Sequence, residues 1–180
     1  YWVLGMECSL LEVQKLAWFL QRSIERRMPG DNPLKLQFEA NKFGPYAHNL
    51  TKLLDGLDGS YLRSEKRIAD ADPFDVIWFA QECKDHVQAF LRSEGKAYAA
   101  ALEDTAALID GFESPFGMEL LATVDWLLTR EGAAPTVEAV REGLAQWPHE
   151  GGAARKVKLF DERAIGIALE RLTRSAAFAE

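Results

Sequence analysis

Leu36-Gln37-Phe38-Glu39-Ala40-Asn41-Lys42-Phe43-Gly44-Pro45-Tyr46-Ala47-His48-Asn49-Leu50 decides how this chain folds. Leu36, Phe38 and Ala40 alternate with polar neighbours, the period of a half-buried strand. Gly44 admits a turn conformation that other residues resist, and Pro45 presets φ at what would be a first helical position. Tyr46, Leu50, Leu53 and Leu54 then recur at helical spacing. The stretch therefore predicts strand, turn and amphipathic helix.

Outward from this block, Ser9-Leu10-Leu11-Glu12 has the spacing of a capping box, and a helix is predicted from Leu10 to Arg27. Its apolar stripe runs through Leu10, Val13, Leu16, Ala17, Leu20 and Ile24, and Pro29 to Pro33 closes it. Beyond the block, residues 61 to 68 read as weakly extended. Asp72-Pro73 opens a predicted helix to Leu91, followed by helices over 96–109, 116–130, 136–146 and 161–174, with a flexible Gly/Ala loop over 149–154. Ser114-Pro115, Thr136 and Asp161 stand where caps belong. The expected fold is mostly α, with about seven helices and a small β element near residues 34–43 and 61–63. A single domain is expected, with packed subdomains over 1–110 and 111–180 as a variant.

The chain has 180 residues, 48% of them hydrophobic, which suffices for a proper core. No apolar run reaches the length of a membrane span, so a soluble, cytoplasmic protein is expected. The opening Tyr1-Trp2-Val3-Leu4 suggests a domain excised from a longer chain. Cys8 and Cys83 lack a nearby cysteine partner, and His48, His86 and His149 are scattered, so no disulfide framework, metal site or cofactor is expected.

Charge is distributed unevenly. The net charge is -7, yet residues 68 to 129 hold twelve acids against Lys84, Arg92 and Lys96, and Tyr98 to Thr129 contains no basic residue. Such a field repels phosphate backbones and attracts basic surfaces. Phosphate-binding glycine motifs, the nucleophile elbow and the zinc-protease helix motif are all missing from the sequence. Glu103 and Asp104 are adjacent, about 100 degrees apart on a helix, and cannot form an acid–base pair. No catalytic residue is assigned, and an enzyme is the weakest reading. Helices over 116–130, 136–146 and 161–174 have the order of a winged-helix unit, but the middle one sets Arg141 against Glu138 and Glu142, and Arg155-Lys156-Val157-Lys158 reads as a solvated loop. A module whose acidic surface docks a basic partner is the favoured reading.

Three blocks together resemble a known family: Leu11 to Gln21; Pro33 to Leu36 with Asn41 to Leu50; and Gly111 to Leu121. They look like the C-terminal domain of the DarG macro-domain antitoxins, and the middle block alone also resembles the Panacea domain of other antitoxins. The resemblance implies that ADP-ribosyl glycohydrolase activity sits in an upstream macro domain. It further implies that this domain binds a DarT-type toxin, a DNA ADP-ribosyltransferase, and fills its DNA groove as an acidic mimic. The expected toxin contacts are Asp70, Asp72, Asp75, Asp110, Glu113 and Asp125, with Phe116 and Trp126 standing in for bases. No direct nucleic-acid binding and no membrane are expected, and the chain would be a monomer or a heterodimer with the toxin. A Panacea-like regulatory module and a winged-helix DNA binder are the alternatives.

Overall fold

The computed structural model describes residues 8 to 175; the hydrophobic opening at Trp2, Val3 and Leu4 lies outside them. The element order is β1 (Cys8–Ser9), α1 (Leu10–Arg27), β2 (Phe38–Asn41), β3 (Gly44–Ala47), α2 (His48–Leu57), β4 (Leu62–Ser64), β5 (Val76–Phe79), α3 (Lys84–Arg92), α4 (Ala99–Ile109), α5 (Pro115–Thr129), α6 (Val137–Ala145), α7 (Gly152–Leu159) and α8 (Glu162–Arg174). The fold is thus mostly helical, with a three-stranded antiparallel sheet ordered β1-β5-β4 and a separate β2-β3 hairpin among the described residues.

Local signals set most helix starts. Ser9 caps α1 in a complete capping box: its backbone N–H donates to Glu12 Oε2 at 2.7 Å, and its side chain accepts from the Glu12 N–H. Ser9→Ala should lower the unfolding free energy by about 1 kcal/mol in chemical denaturation; an unchanged midpoint would show that the cap is energetically idle. Ser114, Thr136 and Asp161 cap α5, α6 and α8 by accepting from the N–H three residues on, at 3.0, 3.2 and 2.8 Å. Helix α4 ends at Ile109, two residues before Gly111 with its left-handed φ of 83°, and the end is held from a distance. Arg171 of α8 donates to the carbonyls of Leu108 and Asp110 at 2.9 and 2.6 Å, satisfying acceptors that a helix C-terminus leaves open.

Three expectations need correction. Pro45 is not a first helical position: it pairs with Ala40 inside the hairpin, and the helix begins at His48. The pairing of Phe38 with Ala47 extends the strand past the proline, which lies on an edge where its missing N–H is tolerated. The helix expected from Asp72 to Leu91 contains a strand, because Val76-Ile77-Trp78-Phe79 pairs with β4 on one side and β1 on the other. A run of β-branched and aromatic residues suits such a half-buried surface. Finally, the basic patch over 155–158 belongs to α7 and is not a solvated loop.

Helix α1 joins two apolar clusters. Its Leu10, Val13 and Ala17 pack with Leu36, Leu50, Leu54, Ile68 and Ile77. Trp18 and Phe19 face the larger cluster, built on Leu121, Val124 and Leu127 of α5, Val140 and Leu144 of α6, and Ile165 and Leu169 of α8. Burying each such side chain contributes about 1.5–3 kcal/mol. Helix α5 is therefore buried nearly all round, as a central helix must be.

Candidate functional site

Charged residues inside this core mark the site. Glu119 of α5, Lys156 of α7 and Lys15 of α1 are each 2% exposed or less. Lys156 Nζ donates to Glu119 Oε1 at 2.9 Å, and Arg155 grips the same carboxylate with both Nη atoms. Lys156 also lies over the Trp147 and Phe160 rings, 4.8 and 5.7 Å from their centroids. Lys15 Nζ donates to the Pro45 carbonyl at 2.7 Å. Gly44 makes this junction possible. At φ 89° its backbone is left-handed, and a Cβ there would lie 2.8 Å from Thr123 Oγ1, so only glycine lets the hairpin seat on α5.

Burial pushes the Lys15 ammonium down to about 7, against the opposing pull of Glu119 and with a further push from Lys156. Burial lowers Lys156 as well, again opposed by Glu119. The unfolded chain binds a proton at Lys15 that the folded chain releases above its lowered value. Stability therefore rises with pH from about 7 toward the ordinary lysine range, by up to about 1.4 kcal/mol per pH unit from Lys15. Unfolding followed across that window should show the slope in the parent and a shallower one in Lys15→Met; equal slopes would mean that Lys15 titrates normally.

Above Lys15 a cleft of about 330 Å³ opens between α1, the hairpin and residues 71–73. Lys15, Asn41, Lys42, Tyr46, His48 and His149 line it, over walls that include Leu10, Leu11, Phe43 and Pro73. The two cysteines offer little chemistry: both are free, and burial, with Glu12 nearby, pushes the Cys8 thiol up to about 12. Among the described residues no group of three or more His, Cys, Asp or Glu is placed to hold a metal ion.

The residues expected to contact a toxin do not share one environment. Asp70, Asp72 and Asp110 are exposed, as is Phe116, whose ring meets Phe160 edge-on; Glu113 and Asp75 are half-buried. Lys66 draws Asp72 and Asp75 together, at 3.2 and 2.8 Å, and holds the Asp75 carboxyl below its ordinary range. Asp125 and Trp126 are core residues, 1% and 8% exposed. Asp125 Oδ2 accepts from Trp18 Nε1 at 2.7 Å and Oδ1 pairs with Arg22, while Trp126 Nε1 donates to Glu131 Oε1 at 3.1 Å.

The acidic field dissolves in the same way. Of its twelve acids, Asp72 and Asp75 are met by Lys66, Glu82 by Arg63, Asp104 by Arg27, Glu119 by Arg155 and Lys156, and Asp125 by Arg22. Bases from outside the segment thus neutralise half of it. Sequence reading did not single out Lys15 or Glu119 as buried charges and took Lys156 for a loop residue. Their signal was a charge on a helix face otherwise apolar, as with Lys15 between Leu11 and Trp18.

No protein-family model matches the chain. It is 30% identical over 174 residues to the DNA ADP-ribosyl glycohydrolase of Mycobacterium tuberculosis and to that of Mycobacterium bovis. The alignment covers 93% of this chain and 45% of each relative. To the DNA ADP-ribosyl glycohydrolase of Thermus aquaticus it is 38% identical over 133 residues, 74% of this chain and 34% of that protein. The chain spans less than half the length of the curated relatives it matches. These names are those of enzymes, so they overturn the expectation of an antitoxin domain acting as a DNA mimic and the expectation that this chain is not itself an enzyme. Neither the Panacea-like module nor the winged-helix binder fits them better, and the burial of Lys156 removes the middle of the basic patch a DNA binder would need.

Proposed function

We propose that this chain forms part of a DNA ADP-ribosyl glycohydrolase, a protein that hydrolyses the bond joining ADP-ribose to DNA. The observation that carries the reading is the 30% identity to two proteins of that name across 93% of the chain. Water adds across the glycosidic bond, its hydroxyl going to ADP-ribose and its proton to the DNA. Such hydrolysis commonly uses a pair of carboxylates, and the cleft is lined by none; its lysines and histidines suit holding an anion more than activating water. The activity is therefore assigned to the protein as a whole. A DNA substrate supports action in the cytoplasm, and no helix among the described residues is long and apolar enough to cross a membrane.

The test is release of free ADP-ribose from an ADP-ribosylated oligonucleotide, by this 180-residue chain and by the full-length product of its gene. Release by either supports the reading, and the comparison assigns bond cleavage to this chain or to the remainder. Absence of release from both overturns it.

A further inference from the structure

The β2–β3 hairpin is a two-stranded ribbon separate from the larger sheet, and such a ribbon is marginally stable unless other elements hold it. Its two ends are held differently. At the base, two amide side chains of α1 grip the chain on entry and exit. Gln21 accepts from the Leu36 N–H at 2.8 Å and donates to the Leu36 carbonyl at 3.0 Å; Gln14 does the same for Ala47 at 2.9 and 3.2 Å. At the tip, Trp147 Nε1 donates to the Asn41 carbonyl at 2.9 Å and Lys15 Nζ to the Pro45 carbonyl at 2.7 Å. Gly44 completes this seat, since a Cβ there would lie 2.8 Å from Thr123 Oγ1 and 3.6 Å from Lys15 Cε. Beneath it lie three cations, Lys15, Arg155 and Lys156, with one carboxylate, Glu119, among them. Arg155 and Lys156 bond that carboxylate, whereas the one hydrogen bond of Lys15 among the described residues goes to a neutral carbonyl. The hairpin is thus what keeps Lys15 from water, and a cleft adjoins it on the outer side.

We propose that the hairpin is a proton-operated latch: its tip lifts and frays from a base held by Gln14 and Gln21, and Lys15 takes up a proton and water as it lifts. The cleft widens with it, because Asn41, Lys42, Phe43 and Gly44 form one of its walls. With the hairpin seated, burial holds Lys15 down to about 7; lifting returns it toward the ordinary lysine value of 10.5. Between those values the lifted form carries a proton that the seated form lacks. The lifted fraction therefore falls about tenfold per pH unit as pH rises through this window, and levels off below about pH 7. The charged and titratable groups around Lys15 are Glu119 on α5, Arg155 and Lys156 on α7, Lys42 in the hairpin turn, His48 at the start of α2 and His149 before α7. Glu12, one turn earlier on α1, is taken up by Ser9, and Asp72, beside the cleft, by Lys66. Of these, Glu119 and Lys156 act on Lys15 most. The latch goes beyond the glycohydrolase reading and does not rest on it.

Amide hydrogen exchange of the 180-residue chain, followed in the hairpin, α3 and α5 from about pH 7 to about pH 9, tests this. Amide exchange is base-catalysed and speeds about tenfold per pH unit, so a lifted fraction that falls by the same factor leaves the hairpin rate flat across the window. Amides of α3, which has no buried residue, should speed about tenfold per unit, and those of α5 should stay at least about tenfold more protected than the hairpin. In Lys15→Met the hairpin rate should rise about tenfold per unit, as in α3. Should that variant fail to fold, Trp147→Phe, which removes one tie at the tip, should speed hairpin exchange about fivefold at each pH and leave the profile flat. A hairpin rate that climbs with pH in the parent or in Trp147→Phe, or one that stays flat in Lys15→Met, would overturn the latch. Equal protection of hairpin and α5 would overturn it too, because Lys15 would then meet water only on global unfolding. The readout needs no substrate, so its outcome is separate from the release of ADP-ribose.

Discussion

Glu119→Ala should lower the unfolding free energy by about 3–5 kcal/mol, the cost of removing one partner of a buried ion pair. Glu119 is 2% exposed and holds two cations: Arg155 through both Nη atoms and Lys156, itself without exposed surface. It also opposes the burial that lowers Lys15 and Lys156. Without it, both ammonium groups remain inside the core with neutral acceptors only, and the chain has to release their protons or hydrate them. The deficit should consequently narrow as pH rises above about 7, where Lys15 can discharge. Adding Lys156→Met to Glu119→Gln should recover much of the loss, since an apolar side chain of similar volume does not need the carboxylate. The check is denaturant unfolding of the single and double variants at two pH values. A loss under about 1 kcal/mol for Glu119→Ala would show that water reaches this network and screens it.

Asp125→Ala carries the second large effect, again about 3–5 kcal/mol. The carboxylate accepts from the Trp18 indole and pairs with Arg22, while the Trp18 ring packs 5.3 Å from Trp126 and Trp126 lies 6.5 Å from Trp147. Removing it unseats a tryptophan at the centre of the larger cluster, so tryptophan fluorescence and near-ultraviolet dichroism should change along with the unfolding midpoint. Asp110→Ala offers the contrast. That side chain is exposed, and its loss should stay within about 0.5 kcal/mol. If the two substitutions proved equally mild, Asp125 would be a surface acid in practice, and its assignment to the core would fail.

Much of the helical frame was legible because its causes are local. The caps at Ser9, Ser114, Thr136 and Asp161 act on the backbone three residues away, and the apolar stripe of α1 repeats within one helix. The strand at Phe38 and the left-handed Gly44 were readable for the same reason. Reading failed where a partner lies far along the chain. Val76 to Phe79 has apolar spacing compatible with either period, and pairing with Leu62 to Ser64 and Cys8 to Ser9 makes it a strand. Pro45 looked helical until the hairpin claimed it.

The candidate site shows the same division more sharply. Lys15 meets the Pro45 carbonyl 30 residues away, Lys156 reaches Glu119 across 37, and Trp18 meets Asp125 across 107. Composition determined that the protein is acidic and able to bury a core, and apolar periodicity with the caps made it mostly helical. Only the tertiary structure decided where its charge resides. Folding brings Lys66, Arg63, Arg27, Arg155, Lys156 and Arg22 onto the acids of the middle third. What remains is a cationic cleft at Lys15, because Coulomb interactions follow distance in space and not order along the chain.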